Sequence, residues 1–204
     1  MKTTKIFLSL LVSTIIFGFV VKSNYGHKIG DVATAFKLKN VDGNMVALSD
    51  YKNEKGLILV FTCNTCPYSK MYEQRIIDLD NKYKSLGFPV VAINPNDPIK
   101  QPGDAYEEMV KLSNDKNYPF PYLVDETQKI TTSYGATNTP QVYVLQNNMD
   151  DFIVKYIGAI DNNTKDGSLA TKHYVAAAVD ALIANQDIEV TNTKAIGCTI
   201  KWKE

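Results

Sequence analysis

Arginine is almost absent from this sequence. Arg75 is the only arginine among 204 residues, so nearly all of the 22 basic residues are lysines. Lysine presents a point charge rather than a planar fork, and bidentate clamps for phosphate or carboxylate groups are therefore scarce. The 22 basic residues are balanced by 22 acidic ones. These totals imply neither a nucleic-acid partner nor an acidic one.

Cysteine and histidine are also few: Cys63, Cys66 and Cys198, with His27 and His173. Three cysteines are too few for a disulfide-dense scaffold, and the odd number leaves one thiol over. Zinc needs four ligands, so the third cysteine and a histidine would have to gather at the other two. Copper handling would use a downstream histidine, but His173 falls in a predicted helix as a surface residue. We therefore favour a site with neither metal nor cofactor.

The N-terminus differs from the rest of the chain. Lys2 and Lys5 precede the apolar stretch IFLSLLVSTIIFGFVV, residues 6–21. A basic start and a short apolar core predict an export signal cleaved after Ser23, or an uncleaved anchor. A buried helix is disfavoured, because the stretch has no polar face. We expect an exported protein, periplasmic or anchored facing the periplasm, that contacts a membrane only through residues 1–23.

The remainder, residues 24–204, shows alternating strand and helix patterns without a further boundary. Continuous apolar runs at 57–62 and 88–94 are typical of strands covered on both faces. Helical periodicity follows from Tyr72, and further helices are predicted at 103–116, 126–134 and 169–184. Strand signals also occur in AFKLKNVDGNMVAL, YPFPYLVD, QVYVLQ and FIVKYIG. This order predicts an α/β fold, a central mixed sheet with helices on both faces.

The tail, residues 185–204, is polar until AIGCTIKW, where apolar residues return. We therefore expect it to pack back onto the domain. Two interpretations of Cys198 compete. It is either a small buried residue that helps the tail to dock, which we favour, or an additional thiol that reaches the active site.

The motif FTCNTCPYSK places Cys63 and Cys66 between a buried strand and a helix. The carboxyl end of a central strand is where open α/β sheets place their sites. The N–H groups of a helix start stabilise a thiolate, and a thiolate is the nucleophile of thiol–disulfide exchange. Asn64 or Thr65 is the expected N-cap, with Pro67 in the first turn. A purely structural disulfide is the alternative, but it would close only a small loop.

Together with Thr139-Pro140 just before a strand, the C-x-x-C motif resembles the thioredoxin fold. The opening IGDVATAFKLKNVDGNMVALSDYK resembles its redoxin branch, the AhpC/TSA group. CNTCPYSKMYEQRI, VAINPNDP, YPFPYLVDETQ, YGATNTPQVYVL and GCTIKW are similar to peroxiredoxin-like thioredoxin-family proteins with C-x-x-C. The resemblance covers about residues 28–203. It implies a cis Thr139-Pro140 bond facing the cysteines, where Thr139 and Pro140 bind substrate.

The sequence departs from two patterns of these relatives. Peroxiredoxins carry P-x-x-x-T-x-x-C. Counted from Cys66 the proline and threonine positions hold Leu59 and Cys63, and counted from Cys63 they hold Gly56 and Val60. Arg75 lies nine residues after Cys66, and the buried aspartate of thioredoxins is replaced by Leu57.

We expect an exported thiol–disulfide oxidoreductase. Cys63 would be the more exposed, attacking thiolate, and Cys66 the buried resolving thiol. Its partners would be protein or small-molecule thiols and disulfides and an electron-donating redox protein. The alternatives are a thiol peroxidase that reduces peroxides and a non-enzymatic metal-binding or assembly protein.

Overall fold

A computed structural model describes residues 26–149 and 151–204. The predicted N-terminal signal or anchor lies outside these residues. Within them, no helix is both long and apolar enough to cross a membrane. The described residues form nine strands and four α-helices. In chain order these are β1 (Lys37–Asn40), β2 (Met45–Ala47), β3 (Gly56–Phe61), α1 (Pro67–Tyr83), β4 (Val90–Asn94), α2 (Tyr106–Lys116), β5 (Tyr122–Val124), α3 (Lys129–Tyr134), β6 (Asn138–Thr139), β7 (Gln141–Asn148), β8 (Asp151–Gly158), α4 (Tyr174–Ile183) and β9 (Cys198–Thr199).

The main sheet is mixed, with seven strands in the order β2-β1-β5-β4-β3-β7-β8. Strands β3, β4 and β5 are parallel, and the pairings at both ends of this group are antiparallel. A parallel strand needs a crossover connection, and α1 and α2 supply the two crossovers. Strand β3 therefore lies inside the sheet, and the thiols follow its carboxyl end.

Helices cover both faces of this sheet, as predicted. Ile58 and Val60 of β3 point into a first core cluster with α1, α2 and α4. Leu57, Leu59 and Phe61 point into a second core cluster on the other face, with α3. Successive side chains of a strand point to opposite faces, so one uninterrupted apolar run supplies both clusters.

Two helices begin later than their sequence patterns predict. Helix α2 begins at Tyr106 rather than 103, because Pro102–Asp104 forms a 3-10 turn that buries Asp104. Helix α4 begins at Tyr174 rather than 169. The side-chain oxygen of Asn162 accepts the N–H groups of Thr171 and Lys172, which keeps both residues outside the helix.

The tail packs onto the sheet, as the return of apolar residues at its end predicts. The short strand β9 pairs with β6 in a separate two-stranded sheet. Ile200 is only 4% exposed and belongs to the second cluster. The Ile200 N–H donates to Thr137 O at 3.2 Å, and the Lys201 N–H donates to Asn96 Oδ1 at 2.9 Å. Buried apolar contact and backbone hydrogen bonds thus both hold the tail.

Replacing Ile200 with alanine should loosen this tail. Truncating a buried isoleucine to alanine costs about 2–5 kcal/mol, so the Ile200 and Lys201 amides should exchange with solvent at least about tenfold faster. Hydrogen exchange measured by mass spectrometry checks this. Ile196→Ala is the matched control, because Ile196 is 49% exposed. Unchanged protection in Ile200→Ala would contradict the docking.

Candidate functional site

Cys63 and Cys66 lie where β3 gives way to α1, and both are free thiols. The N-cap of α1 is Cys66 itself, with Pro67 as the first helical residue. The expectation of Asn64 or Thr65 as N-cap is wrong, because both residues are bound to Asp104 instead. Pro67 suits the first helical position, since its fixed φ fits and it lacks an N–H that would be left unpaired.

Asp104 holds the loop between the two cysteines. Its Oδ1 accepts the N–H groups of Asn64 at 2.8 Å and Thr65 at 3.0 Å. Its Oδ2 accepts the Thr65 hydroxyl at 2.9 Å and the Asn96 amide at 2.6 Å. The side chain of Asp104 is almost fully buried, and these four donors satisfy it. Sequence reasoning missed this residue, because its position inside an apparent helix gave no sign that it turns inward.

Thr139 lies against both thiols, and Thr139-Pro140 is a cis peptide bond, as predicted. The Thr139 Oγ1 is 3.2 Å from Cys63 Sγ. The Cys66 thiol donates to Thr139 O at 3.2 Å. The residue before the proline therefore contacts one cysteine with its side chain and the other with its backbone.

The tail brings Cys198 to the same place. The Cys198 N–H donates to Cys66 Sγ at 3.4 Å, and Cys198 pairs with Thr139 across β6 and β9. A surface cavity of about 190 Å³ is lined by all three cysteines with Asn96, Gln101 and Lys201, among others. A larger cavity of about 520 Å³, lined by Arg75 and His173, lies between α1 and α4 and contains no thiol. The smaller cavity is thus the candidate site, and the interpretation of Cys198 as only a packing residue is incomplete.

Exposure does not separate the roles of Cys63 and Cys66, since they are 5% and 3% exposed. The expectation of a more exposed Cys63 therefore has no support, and the electrostatic environment distinguishes the two instead. A hydrogen bond from the Cys63 thiol lowers the pKa of Cys66. The Cys198 thiol and the backbone N–H groups of Ser69 and Cys198 lower it further, while burial opposes them.

Cys63 experiences the opposite effects. Its hydrogen bond to Cys66 raises the pKa of Cys63, and burial and the negative charge of Asp104 raise it further. Thr139 works in the other direction, but less strongly. Hydrogen bonds to a charged form favour that form, and burial disfavours it. These effects favour the thiolate form of Cys66 over that of Cys63, whereas the Thr139 carbonyl, to which the Cys66 thiol donates, favours the neutral thiol of Cys66.

Comparison with known proteins shows the family of the chain. Residues 29–160 match the AhpC/TSA family. The chain belongs to the AhpC/TSA family. An uncharacterized conserved protein from Geobacillus kaustophilus is 38% identical, with a TM-score of 0.80 over 86% of this chain and 93% of that one. The mixed sheet with helices on both faces and the AhpC/TSA match support the thioredoxin-like fold predicted from the motifs.

Two curated relatives carry names that describe redox proteins. A Mycobacterium tuberculosis protein provisionally named a peroxiredoxin is 27% identical over 56% of this chain and 68% of its own length. The thiol-disulfide oxidoreductase ResA of Halalkalibacterium halodurans is 24% identical over 67% of this chain and 76% of its own. The relatives of this chain thus include one named as a peroxiredoxin and one named as a thiol-disulfide oxidoreductase.

The other candidate residues of this AhpC/TSA protein lie elsewhere. Arg75 is bound to Asp161 at 2.6 Å and to the carbonyl groups of Asn163 and Thr164. His27 Nε2 contacts Thr34, and His173 is the N-cap of α4. None of these three lines the thiol cavity. In the part of the chain that the structure describes, no three His, Cys, Asp or Glu side chains are grouped to hold a metal ion.

The order of thiol modification tests the pKa directions. Because its pKa is lowered, Cys66 should remain a thiolate at neutral pH and lose reactivity only as the pH falls through that pKa. Cys63 should react last and only in alkali. Iodoacetamide labelling over a pH series, with peptide mapping, measures both, and the denatured protein is the control. Faster labelling of Cys63 at neutral pH would contradict the assignment.

Asp104→Asn should weaken the loop between the cysteines. In asparagine the NH2 group that takes the place of Oδ2 cannot accept the Asn96 donor, and a buried donor without an acceptor costs about 1–3 kcal/mol. Urea unfolding should show a loss of this size. Asp115→Asn, on the exposed face of α2, should change stability by less than about 0.5 kcal/mol. Equal effects of the two substitutions would refute the role given to Asp104.

Proposed function

We propose that this protein is a thiol–disulfide oxidoreductase that uses Cys66 and Cys63. The observation that carries the proposal is that Thr139, which precedes the cis Pro140, contacts both free thiols: its Oγ1 is 3.2 Å from Cys63 Sγ, and its carbonyl oxygen is 3.2 Å from Cys66 Sγ. The two neighbouring thiols also shift each other's pKa, down for Cys66 and up for Cys63. A dithiol in this state has one thiolate that can attack and one protonated thiol held next to it. The similarity to ResA supports the same activity.

The proposed roles reverse those expected from the sequence. The Cys66 thiolate attacks one sulfur of a substrate disulfide and forms a mixed disulfide, and the other substrate sulfur leaves as a thiolate and takes up a proton. Cys63 then loses its proton and attacks Cys66 Sγ, which releases the second substrate thiol. The substrate gains two electrons and the Cys63–Cys66 pair loses two. The helix begins after Cys66 rather than after Cys63, and this supports the reversal.

Ionisation of Cys63 becomes easier during this reaction. Once Cys66 is bonded to the substrate its thiolate is gone, and with it the acceptor that holds the Cys63 proton. Thr139 Oγ1, 3.2 Å from Cys63 Sγ, can then donate to the Cys63 thiolate. Thr139 would thus have two roles. Together with Pro140 it would bind the substrate, and its hydroxyl group would stabilise the Cys63 thiolate in the second step.

The compartment and the redox partners are also part of the proposal. Residues 1–23 would export the protein or anchor it, and residues 24–204 would form the redox domain. Outside the cytosol a disulfide persists, so the Cys63–Cys66 pair would need an electron-donating partner to be reduced again. Its substrates would be protein or small-molecule disulfides.

A thiol peroxidase is the second candidate, favoured by the small size of the cavity, about 190 Å³, and by the peroxiredoxin-named relative. The Cys66 thiolate would attack one peroxide oxygen, giving a sulfenic acid and water. Cys63 would then displace a second water and form the disulfide. Against this candidate, the only arginine of the chain is bound to Asp161, away from the thiols.

Single cysteine substitutions should separate the two roles. With dithiothreitol as reductant, the wild type should reduce insulin disulfides, and Cys66→Ser should fall to the uncatalysed background. Reduced beforehand and freed of dithiothreitol, the double variant Cys63→Ser/Cys198→Ser should instead accumulate a mixed disulfide with insulin on Cys66, because no other thiol of the chain remains to release the substrate. Turbidity and intact-mass measurements follow the two outcomes.

The same purified proteins distinguish the thiol–disulfide oxidoreductase from the thiol peroxidase. Consumption of hydrogen peroxide without insulin reduction would favour the peroxidase. Full reductase activity in Cys66→Ser would refute the dithiol mechanism. A mixed disulfide on Cys63 in Cys66→Ser, with none on Cys66 in the double variant, would restore the order of attack expected from the sequence.

A further inference from the structure

The tail occupies the backbone edge that a substrate strand would use. Strand β9 pairs with β6 in antiparallel register, with Thr139 opposite Cys198 and Asn138 opposite Thr199. In the proposed function, the residue before Pro140 is the one that pairs with bound substrate. The chain places its own strand there, and the residue opposite Thr139 is a cysteine. Cys198 thus lies where the cysteine of an extended substrate would lie.

Cys198 also contacts the proposed nucleophile directly. Its N–H donates to Cys66 Sγ at 3.4 Å, and its thiol is among the groups that lower the pKa of Cys66. The two residues line one cavity. Cys66 is therefore placed between two thiols, Cys63 on the side of the core and Cys198 on the side of the tail.

The docking of the tail at this point is specific. A Cβ at Gly197 would overlap the carbonyl oxygen of Thr139, so the tail approaches β6 as closely as a residue without a side chain allows. Asn138 Nδ2 donates to Gly197 O at 3.0 Å on one side of Cys198. Ile200 is buried in the second cluster on the other side. Cys198 is thus held at Cys66 from both directions.

We propose that Cys198 is a third redox thiol, which takes over the disulfide from the Cys63–Cys66 pair. This inference rests on the proposed dithiol function. The Cys198 thiolate attacks Cys66 Sγ of the Cys63–Cys66 disulfide. The Cys198–Cys66 bond forms, the Cys66–Cys63 bond breaks, and Cys63 leaves as a thiolate that takes up the proton lost by Cys198. The chain keeps one disulfide throughout, so the step needs neither an oxidant nor a reductant.

The transfer would move the disulfide toward solvent. Cys63 is buried, whereas Cys198 is half-buried in the tail. In the reduced protein, burial and the neighbouring Cys66 sulfur raise the pKa of Cys198 to about 11. The contribution of Cys66 disappears when its sulfur is in a disulfide, which is the state that Cys198 has to attack. An external thiol reductant would then react with the Cys66–Cys198 disulfide rather than with the buried Cys63–Cys66 disulfide.

The experiment uses the full chain without Cys63. The Cys63→Ser variant, equilibrated in a glutathione redox buffer, should form an internal Cys66–Cys198 disulfide, which non-reducing peptide mapping identifies. Cys198→Ser in the same buffer should form Cys63–Cys66, and wild type should contain both the Cys63–Cys66 and the Cys66–Cys198 bond. If Cys63→Ser leaves its two thiols free or separately bound to glutathione while Cys198→Ser forms its pair, the transfer is refuted and the dithiol function stands. If Cys198→Ser forms no Cys63–Cys66 bond, both proposals fail.

A second variant tests whether the docked register makes the bond. Gly197→Ala, added to Cys63→Ser, forces the tail away from Thr139 and should lower the equilibrium yield of Cys66–Cys198 relative to glutathione adducts by at least tenfold. Ile196→Ala in the same background is the control, because Ile196 is exposed, and it should keep the yield. Formation of Cys63–Cys66 in the single variant Gly197→Ala verifies that the rest of the site is intact. Equal yields of the Cys66–Cys198 disulfide in the Gly197→Ala and Ile196→Ala variants would mean that the bond forms without the docked tail. That result would overturn the proposed geometry.

Discussion

Strand β3 is hydrogen-bonded to β4 on one side and to β7 on the other, and a core cluster covers each of its faces. The geometry of the thiols depends on this confinement. Cys63 follows the strand by two residues, and α1 begins four residues after that. Because the strand cannot shift and the helix is packed against it, only the short loop between them has freedom, and Asp104 holds that loop by two of its N–H groups.

The electrostatics of the site follow from the same loop. A buried thiolate is costly unless donors surround it, because burial disfavours the charged form. The loop turns the Cys63 thiol toward Cys66, the helix starts beside it, and the tail adds a backbone N–H. The donors come from three separate segments of the chain, so the lowered pKa of Cys66 is a property of the assembled site and not of the C-x-x-C motif alone.

The tail distinguishes this site from a dithiol open to any substrate strand. The family match ends at residue 160, and the strand that contacts Cys66 begins at residue 198. A tail paired with β6 limits access to Cys66 to molecules that fit the small cavity, unless the tail moves. In the proposed transfer the docked tail takes part in the chemistry, because its strand carries the thiol that attacks Cys66.

Local sequence patterns were enough to identify most of the elements and the position of the thiols between a strand and a helix. An apolar run such as LILVF is buried on both faces wherever it lies, and a turn followed by helical periodicity has few alternatives, so short-range patterns determine these features. The AhpC/TSA and thioredoxin-like character was also visible in separated motifs, among them C-x-x-C and Thr139-Pro140.

Tertiary structure decided the rest. The start of α2 and the role of Asp104 depend on a turn that buries a carboxylate against residues 40 positions away. The roles of Cys63 and Cys66 depend on which hydrogen bonds reach each sulfur, and the place of Cys198 depends on a strand pairing across 59 residues, Thr139 with Cys198. Spacing along the chain carries no information about such contacts, because their energies are set by groups that become neighbours only when the sheet, the helix and the tail are assembled.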